Sequence, residues 1–318
     1  MENNHSRIGT ERQSVSFIKV VEGRIRHFSR IGKGKTASNY TGALRHFMKF
    51  TEGKDMTLED ITTALMKDFQ AYLIAAGLKM NTVSLHNRML RAAYNYALDE
   101  GLLQYDRRPF AKVFTGQEKT LKRALRESVV KKIMTMDLGN RKDLRFTRDI
   151  FLFSIYTQGM AFVDIAHLKK TQLRNKCLIY RRRKTNQYLN IAIHPCAQAI
   201  IDRYRISDSQ CSYVFPILYD PDMKKNLKYD TALRLYNAHL AKIGLCLNLE
   251  SPLSSYVSRH TWASLAKWNG ISNTVISEAM GHSNVNTTNI YLASFDTGVI
   301  TDANAKIIDS LVKDDKPL

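Results

Sequence analysis

Acidic residues are scarce in this chain. Only 29 Asp and Glu stand against 48 Lys and Arg, a formal charge of +19. That excess costs self-repulsion in any compact state, and a polyanionic partner is its natural explanation. DNA or RNA leads. An anionic membrane surface comes second, because no long basic amphipathic helix stands apart from a core to lie on it. Cysteine is equally sparse: Cys177, Cys196, Cys211 and Cys246 are the full set. No C-x-x-C pair occurs, which speaks against a zinc site, and His194-Pro-Cys196 is too tight for a metal clip. Four scattered cysteines fit reduced core residues of a cytosolic protein. Long apolar runs are missing too. The longest, around Phe151–Tyr156, falls far short of a membrane span, and the polar start MENNHSRIGTERQ does not read as a secretory signal. A soluble cytoplasmic protein is therefore expected. There is no G-x-x-x-x-G-K-[ST] loop and no carboxylate cluster at metal-ligand spacing, so neither ATP nor Mg²⁺ is implied and no cofactor is expected.

What is present suits two ordinary domains: 318 residues, 44% hydrophobic and 24% charged, without internal repeats or low-complexity segments. Residues 1–12 read as a flexible tail. Apolar recurrence then predicts a helix through Val15, Phe17, Ile18, Val21 and Ile25. A second, capped by Thr36 or Ser38, carries Tyr40, Leu44, Phe47 and Phe50. A third follows Leu58-Glu-Asp60 and stops at Gly77. A fourth runs from near Asn81 to Gly101, with Val83, Leu85, Leu90, Tyr94 and Leu98 on one face and His86, Arg88 and Arg91 on the other. Together they form a helical domain over residues 13–104 whose basic faces suit a DNA backbone. Residues 105–120, with Asp106, Pro109, Gly116 and several cations, read as a linker, and a second domain spans 121–318. It opens with the amphipathic stretch KRALRESVVKKIM and a strongly buried helix ending near Tyr156. The period then changes: CLIYRRRK and QYLNIAIH flank Lys184-Thr-Asn186 as a hairpin or small sheet. Helical patterns resume near Ala197 and continue to about Leu311. The expected fold class is mainly α with a small antiparallel β-sheet.

Four segments of the second half carry chemistry: TQGMAFVDIAHL, YRRRKTNQY, SYVSRHTWASLA and MGHSNVNTTNIYLA. The phenol of Tyr291 is a poor nucleophile at neutral pH, with an ordinary pKa near 10, and needs cationic donors around the group it attacks. Arg259 opens a helix, and its guanidinium fork suits the non-bridging oxygens of a phosphate. His282 can donate another hydrogen bond there. Lys184, at a hairpin tip, can protonate a departing 5′-oxygen. Each alone has a structural reading: a packed tyrosine, a salt-bridged Arg-His pair, a solvated lysine. His260, Trp262 and Trp268 read as core packing, and Asp164 as a residue that orients a cation or caps a turn.

In this order the segments resemble the tyrosine recombinase (phage integrase) family. Its pattern is an arginine in a T-G-x-R-x-x-E/D-like segment, a hairpin lysine, an H-x-x-R-H box, a G-H box and a terminal tyrosine. The matching residues are Gly159-Met160 with Asp164, then Lys184, Arg259-His260-Thr-Trp, Gly281-His282 and Tyr291, with Xer-like spacing. The resemblance covers most of the chain, and its first half is similar to the family's SAM-like core-binding domain. It implies a two-domain C-shaped clamp on double-stranded DNA, acting as a homotetramer on two sites and associated with the nucleoid. It also implies cutting and rejoining through a 3′-phosphotyrosyl intermediate, as in integration, excision or inversion. Tyr291 would attack, Lys184 act as general acid, Arg259 and His282 hold the phosphate, and Tyr256 assist. The stretch holding Ile300, Ile307, Ile308 and Leu311 would dock on a neighbouring protomer.

Two positions depart from the family pattern. Its first arginine falls on Ala161, or on Gln158 in a branch common on mobile elements, and Tyr256 opens the H-x-x-R box. Arg181, Arg182 and Arg183 are candidates to supply the missing charge or to contact the DNA backbone, as Arg88 and Arg91 are in the first domain. Two rivals stay open: a type IB topoisomerase, and a weakly active or non-catalytic DNA-binding protein on a recombinase scaffold.

Overall fold

The computed structural model describes residues 14–118, 124–208, 211–220, 222–282, 288 and 304. The chain divides into two compact units, Met1–Thr120 and Leu121–Leu318. In the first, helix α1 (Phe17–Arg30) starts at Ser16, whose Oγ accepts the Lys19 N–H. It is followed by α2 (Gly34–Phe50), α3 (Thr63–Ala75) and α4 (Met80–Asp99). Thr62 caps α3 by accepting the Leu65 N–H. Phe17, Phe47 and Phe69, all fully buried, meet edge-on at 5.6 and 5.3 Å and form the centre of this unit's core.

Three details of this unit differ from the sequence reading. Helix α2 begins at Gly34, before Thr36 and Ser38, because α1 ends in a tight reversal: Gly32 takes φ +74° and the Lys33 N–H returns to the Phe28 carbonyl. His86, assigned to a polar face, is buried, because α4 packs against α1, α2 and α3 at once. The stretch read as a linker is a strap on the first unit. Phe110 and Val113 enter its core, and Gln70 Oε1 accepts the Phe114 N–H at 2.6 Å. Asn87 Nδ2 donates to the Phe114 carbonyl, and Ser84 Oγ donates to that of Gly116. Pro109 and Gly116 mark turns there, and those turns are held down by buried side chains.

The His86 ring lies 5.0 Å from that of His46 on α2. Burial first, then the His46 and Arg45 charges, lowers its pKa from 6.5 to about 4, and His46 is also lowered by burial. Between those values the unfolded chain takes up protons that the folded unit refuses, so acidification favours unfolding. Stability is expected to fall as pH drops from 7 to 5. His86→Gln should flatten that slope, measured by urea unfolding at the two pH values.

The second unit starts with α5 (Glu127–Thr135), which is shorter than the amphipathic stretch suggested, and α6 (Lys142–Tyr156). Ile150, Phe151 and Phe153 of α6 are fully buried, surrounded by the later helices. After α7 (Phe162–Ala166) come β1 (Leu173–Arg174), β2 (Cys177–Arg181) and β3 (Tyr188–Ala192), an antiparallel sheet in that order, with Tyr180 opposite Leu189. Leu189 and Ile191 face the core while Tyr188, Asn190 and Ala192 face out, the alternation a half-buried strand requires. Helix α8 (Pro195–Tyr204) follows. A small hairpin, β4 (Tyr219–Asp220) and β5 (Lys225–Asn226), then interrupts the region read as helical. Two-residue strands are too short to carry a readable period. The remaining elements are α9 (Tyr229–Cys246), α10 (Val257–Trp268) and α11 (Asn273–Ala279).

All four cysteines are free. Cys211 is buried, but Cys196 and Cys246 are exposed, so the reading of all four as core residues is corrected. Among the described residues no helix is long and apolar enough to cross a membrane.

Candidate active site

The first turn of α10 sends Arg259 inward, with only 3% of its surface exposed. A guanidinium so deeply desolvated needs several acceptors. Nη1 donates to the Gly159 carbonyl at 2.6 Å, and Nη2 to the Met280 carbonyl at 2.5 Å and to His282 Nε2 at 3.1 Å. Arg259 thus joins the turn after α6 to the turn after α11. Gly159 permits this approach: its φ is +69°, and an added Cβ would lie 3.2 Å from the Arg259 Cα. Gly159→Ala is expected to cost about 1–2 kcal/mol in urea unfolding, by straining the backbone and displacing Arg259.

A guanidinium only donates, so the Nε2 of His282 accepts from it. The ring proton then sits on Nδ1 and is donated to Thr288 Oγ1, 2.8 Å away and buried. Burial, then the charges of Arg259, Arg182 and Lys184, lowers the His282 pKa to about 3. The imidazole is neutral at physiological pH. Because the Thr288 hydroxyl both donates and accepts, it can support either tautomer, including the one that offers Nε2–H to a bound oxygen.

The β2–β3 hairpin supplies the opposite wall. The Asn186 N–H donates to the Arg182 carbonyl and the Arg182 N–H to that of Gln187. Lys184 stands exposed at the tip of this turn. Arg182 is buried and donates from Nη1 to the Gly281 carbonyl at 2.7 Å. Thr185 Oγ1 reaches the same carbonyl, and Gln187 Nε2 reaches that of His282. Arg183 is exposed, but its backbone N–H donates to Asp164 Oδ1 at 2.9 Å. Burial raises the Asp164 pKa against that N–H and the charges of Arg182, Arg259 and Arg183. Arg181 is exposed, with Nη1 on the Asn186 carbonyl.

The structure therefore brings together Arg259, His282, Asp164, Arg182 and the Lys184 hairpin. Tyr256, 52% exposed, precedes α10 with its ring beside that of His260. Gln158 shares a recess of about 760 Å³ with Gln187, Ser277, Glu278 and His282. Ala161 precedes α7 and contributes no charge. Arg88 and Arg91 are exposed on α4, in the first unit, with Arg91 donating to Thr115 Oγ1. Tyr291 and the segment assigned to protomer docking lie outside the described residues. Sequence reasoning missed Thr288, Thr185, Gln187 and the approach of Gly159. For Arg182 a signal existed: the inward alternation of Leu178 and Tyr180 continues onto it.

The phage integrase family profile matches residues 123–297, and the phage integrase SAM-like domain matches residues 16–113. The chain belongs to the phage integrase family of tyrosine recombinases. It is similar to tyrosine recombinase XerA of Pyrococcus horikoshii, 26% identical over 286 residues that cover 88% of this chain and 91% of that protein. Tyrosine recombinase XerD of Listeria innocua is 22% identical over 282 residues, covering 83% and 91%. Among solved structures, the Tn1549 transposon integrase in complex with transposon right end DNA shares the fold at a TM-score of 0.70 and 14% identity, over 92% of this chain and 100% of that one. A lambda integrase tetramer bound to a Holliday junction does so at 0.68 and 17% identity, over 90% and 80%.

Proposed function

We propose that this protein is a site-specific recombinase that cuts and rejoins double-stranded DNA through a 3′-phosphotyrosyl intermediate, with Tyr291 as nucleophile. The observation that carries the reading is the buried Arg259 guanidinium, locked on two turn carbonyls and directed at the neutral ring of His282. Arg259 and His282 hold the non-bridging oxygens of the scissile phosphate and stabilise charge as it develops. Tyr291 gives up its phenolic proton to water as its Oη attacks phosphorus, the bond to the 5′-oxygen breaks, and Lys184 gives that oxygen its proton. Tyr256 assists as a further donor. The covalent link keeps the bond energy, so rejoining by the 5′-hydroxyl of a partner strand needs no cofactor.

Two such rounds on two sites exchange four strands through a Holliday junction, which requires a homotetramer. The lambda integrase assembly is of that kind. The domain assignment is a core-binding unit at 13–104 with its strap, and a catalytic unit from 121 onward. Both contact DNA, through residues such as Arg88 and Arg91 in the first and Arg181 and Arg183 in the second. Binding should weaken steeply with salt, because each neutralised phosphate releases counterions. The enzyme would work in the cytoplasm, on the nucleoid.

A nicked suicide substrate made from the DNA flanking its gene tests the reading. The expected product is a covalent protein–DNA adduct that maps to Tyr291 and is absent in Tyr291→Phe. An adduct that persists in that variant, or none in the wild type, overturns it. Supercoil relaxation without exchanged products would point to a topoisomerase instead.

A further inference from the structure

We propose that Arg182 is a catalytic residue, a second guanidinium that clamps the non-bridging oxygens of the scissile phosphate beside Arg259. The inference rests on the recombinase reading. Three arginines follow one another in the hairpin, and the structure treats them differently: Arg181 and Arg183 are exposed, while Arg182 is sunk to 3%, the same depth as Arg259. A guanidinium at that depth has lost its water and calls for a carboxylate or a set of acceptors. Among the described residues Arg182 has neither. Nη1 donates to the Gly281 carbonyl, and Nε is buried without a partner.

A strut holding that turn would not need the charge. Thr185 Oγ1 already donates to the same Gly281 carbonyl at 3.1 Å, as a neutral group. The neighbouring carbonyl, Met280, holds Arg259 Nη2, so two guanidiniums grip successive residues of the turn leading into His282. Both charges act on His282 and on Asp164. Asp164 is the buried carboxylate in this cluster. Its Oδ1 is taken by the Arg183 N–H, and its Oδ2 has no partner among the described residues. Two buried cations against one carboxylate leave a net positive charge beside a neutral imidazole. A diester phosphate is a monoanion, and its five-coordinate transition state carries more negative charge, so the cluster fits the transition state better than the ground state. The hairpin would thereby provide the cation that neither Ala161 nor Gln158 offers.

The test compares two suicide substrates, one with an ordinary scissile phosphate and one with a methylphosphonate there, which is neutral. Arg182→Gln is expected to slow adduct formation roughly a hundredfold on the phosphate but less than about fivefold on the methylphosphonate, with site affinity changed less than about threefold. Arg182→Lys keeps the charge, and so the fold, but loses the planar fork. It should lose about tenfold on the phosphate, with the same selective relief. If the Gln variant melts early, the Lys variant carries both comparisons. Wild-type rates on the phosphate, or equal losses on both substrates, overturn the proposal. A wild type that cleaves beside an unaffected Arg182→Gln sinks this inference alone. A wild type that forms no Tyr291 adduct sinks the recombinase reading and this inference with it.

Discussion

Arg259→Gln is expected to lower the rate of covalent adduct formation about a thousandfold while changing DNA affinity less than about threefold. The guanidinium is held by the Gly159 and Met280 carbonyls at 2.6 and 2.5 Å, so it is oriented before any phosphate arrives. A donor fixed in a water-excluded site pays no reorganisation during reaction, and its loss removes about 3–4 kcal/mol from the transition state. Arg259→Lys restores charge but cannot span both carbonyls and a phosphate, so it should remain at least about tenfold slow. A second readout separates electrostatics from misfolding. Burial and then Arg259 depress His282, so in Arg259→Gln the ring pKa should rise from about 3 toward its ordinary 6.5, seen by NMR titration. A variant that cleaves within tenfold of wild type, or a His282 titration that does not move, would remove Arg259 from the centre of the site.

Asp149→Ala should destabilise the second unit strongly, although the residue lies away from the site. Its carboxylate, 3% exposed on α6, accepts from Arg148 Nε at 2.8 Å, Arg203 Nη1 at 2.6 Å and Tyr204 Oη at 2.8 Å. Removing it leaves Arg148, 15% exposed, beside a void, and Tyr204 without its acceptor. Breaking a buried pair on one side costs about 3–5 kcal/mol. The figure belongs near 3, because Arg203 is 55% exposed and can rehydrate. For a unit of this size that lowers Tm by roughly 6–12 °C. The opposite truncation, Arg203→Ala, should cost less than about 1 kcal/mol, because Arg148 still answers the carboxylate and the lost partner was in water. Equal losses for the two variants, read by thermal melts, would show that burial does not set the asymmetry.

Much of the fold was legible because it is periodic. Phe17 and Val21, or Phe47 and Leu44, fall on one face by helical spacing alone, and the alternation of Leu189 and Ile191 marks a half-buried strand. The turn at Lys184 was readable from the polar residues between two apolar runs. Where the reading failed, long-range packing was responsible. His86 sits at a position that a lone helix would expose, yet it is buried, with its ring against His46 and Gly42 of α2. The strap at Phe110 and Val113 has linker composition, but two apolar side chains and the Gln70 amide anchor it.

The candidate site divides along the same line. Local backbone geometry imposes a period that any window of the chain displays, so the sequence alone determined the helices, the hairpin and the kinds of side chain available for phosphate chemistry. Only the tertiary structure decided which arginines do more than meet water. Arg259 finds the Gly159 carbonyl 100 positions away and Arg182 finds that of Gly281 at a separation of 99, contacts that no local pattern encodes. A guanidinium's role depends on which acceptors packing brings to it and how much water packing removes, and both are set by elements far apart in the chain.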